Sequence, residues 1–308
     1  MDEIRADLTH LLNFIPNNFP GAQPVSLDWS NAHLLHDKKY LVTEKSDGER
    51  KMLYSYNGTT HLIDRSFNGI KSTILITKEK TILDGEIVLD TLPDGTQIER
   101  YLVFDAIVCK DIDIKELPLL YRLSRFYSCV LEPARSTDSC GEIYMKDFFE
   151  LKDIHTVMNL KLLHPSDGFI FTPTEDPYCG GRCKNILKYK EAKETTVDFA
   201  AWKSNYSIEL YCGVRGDDIK WIGYADECDK NYLHFYTSLI GKTIVECDWV
   251  EDRQRWRIRK IRKDKIKSND IKVLNWNIYT IQHSLSPVDL QNLILKKEIK
   301  TESTSHEF

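Results

Sequence analysis

The sequence predicts an α+β fold: antiparallel strands with a few helices over roughly the first 191 residues, then a compact run of short strands. Three observations carry that reading. Short segments rich in β-branched and aromatic residues alternate with Asn57-Gly58, Asn68-Gly69 and Asp94-Gly95, dipeptides that signal hairpins or tight turns. Two stretches, 117–129 and 147–158, read as helices. Beyond Glu194 the texture turns β-rich.

Element by element, the chain opens with helical apolar spacing at Ile4, Leu8, Leu11 and Leu12. Pro16, Pro20, Gly21 and Pro24 then mark an irregular connection. Strands are expected at 40–43, 51–56, 61–64, 81–89 and 101–108. The helix at 117–129 begins at Pro118, where a missing N–H does no harm. Strands at 168–172 and 185–189 follow the second helix. In the β-rich part, 197–202, 207–212, 220–224, 243–250 and 256–261 are five short strands that fit a small barrel of oligonucleotide-binding (OB) type. A last helix is expected over 287–297, and the tail at 301–308 is expected to be disordered. Two domains result, 1–191 and 192–286, with helix 287–299 completing the first and residues 300–308 left as a tail.

A chain of 308 residues is long enough for two cores, and its net charge of −5 argues against a general nucleic-acid binder. The exception is the basic block from Arg253 to Lys267, which points to a phosphate-rich ligand met at one site. Within it Arg253, Arg255, Arg257 and Arg259 alternate along a strand and suit RNA phosphates. The N-terminus lacks a signal peptide's basic start and apolar core, and no apolar run reaches membrane-spanning length. Nucleus or cytoplasm is therefore expected, with no membrane partner. The eight cysteines are expected to be reduced and mostly buried. Cys179 and Cys183 lack a second Cys/His pair at ligand spacing, so they read as part of a glycine-rich loop rather than half a zinc site.

The chemistry-bearing residues come as an ordered series. Lys45-Ser-Asp-Gly-Glu-Arg50 follows an apolar strand and sets a lysine beside a carboxylate, a glycine and an arginine. Ile63-Asp-Arg65, Leu83-Asp-Gly-Glu-Ile87 and Val103-Phe-Asp-Ala-Ile-Val108 come next. Then follow Ser166-Asp-Gly-Phe-Ile-Phe171, Leu187-Lys-Tyr-Lys190, Thr196-Val-Asp-Phe199 and Trp256-Arg-Ile-Arg-Lys-Ile-Arg-Lys-Asp-Lys265, which ends in Arg262-Lys-Asp-Lys265. Taken singly, each has an ordinary reading: exposed turns, surface ion pairs, a core phenylalanine, turn-capping aspartates at 84, 105 and 167. In this order and at these spacings they resemble the covalent nucleotidyltransferases, and specifically the GTP:RNA guanylyltransferases that cap messenger RNA. The resemblance runs from Tyr40 to Lys265.

That resemblance implies a nucleotidyltransferase domain of the ATP-grasp-like ligase and capping type, followed by an OB-fold lid. It implies Lys45 as the nucleophile, forming a phosphoramidate with GMP. A free lysine, with a pKa of about 10.4, is a poor nucleophile at neutral pH, and the nearby cations Arg65, Lys188 and Lys190 favour the neutral amine. Lys188 and Lys190, at i and i+2 on a strand, share a face and are implied to contact the α-phosphate. Arg50 and Arg65 are fork donors suited to ribose and phosphate oxygens. Glu86 is implied to meet the ribose hydroxyls or a metal, and Asp167 the metal, Mg²⁺ or Mn²⁺. Phe104 is implied to stack on guanine and Lys146 to read its edge. Arg262, Asp264 and Lys265 are implied to orient the β- and γ-phosphates when the domains close. Position 46 is Ser where many capping enzymes have Thr.

The expected activity is a two-step transfer of GMP from GTP to a 5′-diphosphate RNA end, releasing pyrophosphate. No phosphatase signature, metal-tunnel Glu-x-Glu pair or methyltransferase fingerprint occurs, so a separate RNA triphosphatase and cap methyltransferase are expected partners, together with the transcription machinery. Two alternatives remain. An ATP-dependent polynucleotide ligase shares the first and last motifs. A non-catalytic RNA-binding relative would keep the fold and lose the chemistry. The Thr196-Val-Asp-Phe199 and Ile63-Asp-Arg65 elements favour capping over ligation.

Overall fold

The computed structural model describes residues 1–12, 19–137, 139–191, 195–215, 218–263 and 265–304. The chain divides into two compact units: residues 1–189 joined by the segment from Leu290 onward, and Lys190–Asp289.

Among the described residues the first unit holds two sheets. One runs in the order Gln23–Ser26, Arg182–Tyr189, Ser166–Pro173, Tyr40–Ser46, Phe149–Glu150. The other runs Gly69–Ser72, Thr59–Ile63, Glu49–Tyr56, Thr81–Thr91, Gln97–Cys109, Ile112–Asp113, with Ile143–Met145 lying parallel to Gln97–Cys109. Apart from that pair and the parallel pairing of Gln23–Ser26 with Arg182–Tyr189, the ladders are antiparallel. The chain passes from the first sheet to the second at Asp47-Gly48, between Tyr40–Ser46 and Glu49–Tyr56. A Cβ on Gly48 would overlap the Ile87 carbonyl oxygen, so this crossing requires glycine.

Local chemistry accounts for most of the turns. Asn57 and Gly58 both take positive φ, +50° and +72°, as a two-residue type I′ hairpin demands. Gly95 (φ +85°) closes the long hairpin of Thr81–Thr91 and Gln97–Cys109, with Asp94 Oδ1 accepting from Thr96 N at 2.9 Å. The turn at Asn68-Gly69 departs from expectation. Positive φ falls on Phe67 (+64°), Asp64 Oδ1 accepts from the backbone N–H groups of Ser66 and Asn68, and Gly69 begins a strand.

The helix expected at 147–158 is the clearest correction. Only Ile154–Met158 is α-helical, because Phe149–Glu150 pairs antiparallel with Leu41 and Val42 and is drawn into the first sheet. The helix expected at 117–129 runs Leu119–Phe126 and passes through a π-helical turn, Tyr127–Leu131, into Glu132–Ser136. The C-terminal helix is Pro287–Thr304, longer than expected, and residues 305–308 of the expected tail lie outside the described residues. Its Leu290 and Ile294 are buried, and Gln291 reaches the Met158 sulfur of the first unit.

In the second unit the strand order is Ile219–Tyr224, Ile208–Gly213, Thr196–Lys203, Thr243–Val250, Arg255–Ile261. Helix Tyr232–Ser238 joins the third strand in sequence to the fourth. That order is consistent with the OB type; a single parallel bridge, Ala225 to Trp256, brings the two edges together. Val197, Phe199, Leu210, Val245, Cys247, Trp256 and Ile258 build its core. Helix Ile271–His283, not anticipated, closes on that core through Leu274, with Asp270 capping its start by accepting from Lys272 N.

Cys109, Cys183, Cys212 and Cys247 are buried thiols, whereas Cys179 and Cys228 are exposed. Cys183 Sγ donates to the Cys179 carbonyl at 2.8 Å across a loop whose Gly181 has φ +70°. Among the described residues, no helix is long and apolar enough to cross a membrane.

Candidate active site

A cleft of about 330 Å³ in the first unit is lined by both sheets. Tyr40–Ser46 and Arg182–Tyr189 of the first sheet bring Lys45 and Lys188 to it, and Glu49–Tyr56, Thr81–Thr91 and Gln97–Cys109 of the second bring Arg50, Glu86 and Phe104. Arg65, just past Thr59–Ile63, and Lys146, just past Ile143–Met145, complete the wall. Seven of the residues singled out from sequence thus meet in one cavity, although they lie on separate strands. Alternation accounts for part of this, since Thr43 and Lys45, and Ile186 and Lys188, share the cleft face of their strands.

Lys45 donates to Asp167 on the neighbouring strand Ser166–Pro173, so the candidate nucleophile and the candidate metal ligand are partners. Burial raises the Glu86 carboxyl above its usual range, against the lowering pull of Lys146, Lys45 and Arg50. Lys146 is buried with its Nζ 2.8 Å from the Glu44 carbonyl oxygen and 2.7 Å from the Glu44 carboxylate.

Arg50 sits differently from its expected place on a ribose or phosphate oxygen. Its guanidinium forks onto Asp84 (Nε–Oδ1 3.0 Å), also donates to the Ala22 carbonyl, and lies 5.1 Å from the Phe104 ring centroid. The Tyr178 hydroxyl donates to the same Asp84, and burial keeps that phenol protonated well above its usual range. Asp105 is held in a second fork by Arg122, at 2.7 and 2.8 Å. Asp84 and Asp105 are therefore buried anchors of the cleft floor rather than turn caps.

Lys190 falls one residue beyond Arg182–Tyr189, at the start of the second unit, and is not among the residues lining the cleft. In the second unit Arg262 meets Glu246 at 2.8 Å and Asp198 at 3.2 Å, and Lys265 pairs with the same Asp198. Asp264 lies outside the described residues. Three of the four arginines expected to track RNA phosphates are engaged as well: Arg253 with Asp226 at 2.5 Å, Arg257 with Asp248 at 2.5 Å, and Arg259 with Asp248 at 3.6 Å, whereas Arg255 is exposed. The basic block is thus largely offset by carboxylates of its own unit, which the linear charge pattern does not reveal.

The family model for the mRNA capping enzyme catalytic domain matches residues 1–192, and that for the mRNA capping enzyme C-terminal domain matches residues 182–291. The chain belongs to the mRNA capping enzyme family. The mRNA-capping enzyme subunit alpha of Schizosaccharomyces pombe is 30% identical, over 93% of this chain and 82% of that protein. Its counterpart in Saccharomyces cerevisiae is 28% identical, over 90% and 78%. The mRNA-capping enzyme of Caenorhabditis elegans is 26% identical over 87% of this chain, which spans 48% of that longer protein. A solved mycobacterial DNA ligase D complexed with ATP and MES superposes with a TM-score of 0.49 at 14% identity, covering 82% of this chain and 97% of that one.

Family membership makes this capping enzyme a nucleotidyltransferase, a GTP:RNA guanylyltransferase, and sets aside the ligase reading. GTP and RNA are its substrates, and a divalent metal is its cofactor class.

Sequence reasoning missed Glu44 and His164. Glu44 directly precedes the Lys45 motif, and His164 falls in a loop just ahead of the Asp167 motif. It also quoted Asp198 without giving it a partner. The signal for Glu44 is a carboxylate on a strand that opens with the apolar run Tyr40, Leu41 and Val42, since a buried charge needs a partner.

Proposed function

We propose that Lys45 takes GMP from GTP and that the cleft around it holds the nucleotide. The amine lone pair attacks the α-phosphorus, the bond to the pyrophosphate oxygen breaks, and lysyl-GMP remains until a 5′-diphosphate RNA end displaces it. The observation that carries this reading is the gathering of Lys45, Arg65, Glu86, Phe104, Lys146 and Lys188 around one nucleotide-sized cavity. Asp167, already hydrogen-bonded to Lys45, is within reach of the proton the ammonium gives up before attack.

Lys188, with Lys190, neutralises the α-phosphate, and Arg65 meets phosphate or ribose oxygens. Phe104 stacks on guanine, Lys146 donates to its O6, and Glu86 accepts from the ribose. Arg50 serves from below, committed to Asp84 and the Ala22 carbonyl. Arg262 and Lys265, with Asp264, serve the β- and γ-phosphates, exchanging Asp198 and Glu246 for phosphate oxygens.

Asp167 and Glu86 suit a hard cation, Mg²⁺ or Mn²⁺, that takes one or two carboxylates and completes its shell with phosphate oxygens. Such an ion supplies charge neutralisation of the phosphates.

A separate RNA triphosphatase and methyltransferase are the proposed partners, with recruitment to the transcription machinery. The designation "subunit alpha" of the fungal relatives supports a second subunit. The proposed location is the nucleus if the host is a cell and the cytoplasm if it is a virus.

Incubation with labelled GTP or ATP and a divalent metal tests the reading. Acid-labile, alkali-stable label from GTP is expected, and Lys45→Ala is expected to abolish it. Label from ATP alone, or label that survives in Lys45→Ala, would overturn it.

A further inference from the structure

Behind Lys146 a chain of alternating charge runs away from the cleft. Lys146 pairs with Glu44 at 2.7 Å; Glu44 faces His164 Nε2 at 3.5 Å; His164 Nδ1 meets Asp90 at 2.7 Å; and Asp90 pairs with Arg100 at 2.5 Å. Arg100 turns on to Glu142 at 2.9 Å. Lys146, Glu44, His164 and Asp90 side chains are all less than one tenth exposed. Ser46 Oγ lies 3.0 Å from Glu44 and 3.3 Å from His164 Nε2.

The chain spans the two sheets of the first unit. Glu44 and Ser46 belong to the strand that carries Lys45, while Asp90 and Arg100 belong to the long hairpin of the other sheet. The loop bearing His164 is fastened on both sides, by Thr91 N to the Leu163 carbonyl (2.8 Å) and Asp47 N to the Pro165 carbonyl (2.9 Å). An imidazole between two buried carboxylates satisfies both only when both ring nitrogens carry hydrogen. Loss of one proton leaves Glu44 or Asp90 facing a lone pair. Glu44 then has Lys146 and Ser46 alone to hold it.

We propose that His164 is a positioning residue for nucleotide binding: bridging Glu44 and Asp90 as the imidazolium, it fixes the Glu44–Lys146 pair that faces the nucleotide. It touches no reacting atom, so its effect falls on GTP affinity. The groups facing His164 are Glu44 and Ser46 from one strand and Asp90 from the other, with Lys146 and Arg100 one step further out. The Glu44 carboxylate 3.5 Å away, helped by Asp90, raises the imidazole's affinity for its proton against the opposing effect of burial. This inference rests on the reading that Lys45 is guanylylated from GTP in the adjoining cleft.

The test measures the KM for GTP and the kcat of lysyl-GMP formation from about pH 5.5 to 8.5 in the native chain, His164→Gln and His164→Lys. GTP's own terminal phosphate titrates near pH 6 in all three, so the difference between proteins isolates residue 164. The native KM is expected to climb with pH relative to His164→Lys, which keeps its cation. His164→Gln is expected to show a KM raised roughly tenfold at low pH, the cost of one charge-assisted hydrogen bond, with kcat little changed. Native and His164→Lys profiles that superpose, or a His164→Gln defect confined to kcat, would overturn the proposal while leaving guanylylation of Lys45 standing. Absence of label in the native chain would instead sink the underlying reading. A thermal melt of each variant separates misfolding from mispositioning.

Discussion

Single residues decide which groups can touch a nucleotide and which only hold the cleft. Lys45, Arg50, Lys146 and Lys188 all line the cavity, but Arg50 is held there in a fork onto Asp84, as Arg122 is onto Asp105. From sequence the two kinds are indistinguishable, because a fork donor suits a phosphate and a carboxylate equally well. The His164 tie has a pH signature in stability as well as in binding. His164 is raised above its ordinary value near 6.5, so its contribution is complete below that value and is lost as pH rises through the folded-state value. Glu44 is lowered: burial opposes its ionisation, but His164 and Lys146 outweigh burial, so its contribution holds above about 4.5 and fails as pH falls through the depressed value. The destabilisation caused by His164→Gln, read from urea unfolding, is therefore expected to be largest between about pH 5 and 6.5 and to shrink by pH 8.5. A penalty that grows toward pH 8.5 would contradict this sign.

At the scale of elements, the Asp47-Gly48 turn between strands Tyr40–Ser46 and Glu49–Tyr56 has the most to do. It steps from one sheet to the other, carries Lys45 on one side, and packs Gly48 against the Ile87 carbonyl and the Glu86 side chain. Gly48→Ala is expected to cost about 1–3 kcal/mol in urea unfolding and to lower lysyl-GMP formation by displacing Glu86 and Lys45 together. An alanine variant with native stability and labelling would show that the turn has more room than it displays. The hairpins at Asn57-Gly58 and Asp94-Gly95 were legible because those residue pairs readily take positive φ. The turn at Lys110 and Asp111 takes φ of +50° and +63° without glycine, and composition offers no signal for it. Phe149–Glu150 departs from the helix its sequence predicts for a related reason: two residues of edge strand are chosen by the partner strand, not by their own periodicity.

At the scale of the molecule, the change of texture near residue 194 lies close to the division between the two units, and the segment from Leu290 onward returns to the first. Leu290 and Ile294 of helix Pro287–Thr304 are buried, and Gln291 meets Met158. Leu290→Ala is expected to destabilise the first unit by about 2–5 kcal/mol, measured as a lower urea midpoint for loss of GTP labelling. An unshifted midpoint would mean that the helix adds nothing to that unit. By itself the sequence determined the α+β class, the family and seven of the residues that line the cleft, because those depend on residue type, spacing and order along the chain. Only the tertiary structure decided how charge is shared out: Arg50 to Asp84, Arg262 and Lys265 to Asp198, His164 between Glu44 and Asp90. Ion pairing depends on distance and burial in three dimensions, and partners as far apart as Lys45 and Asp167 leave no mark of their pairing in the linear pattern.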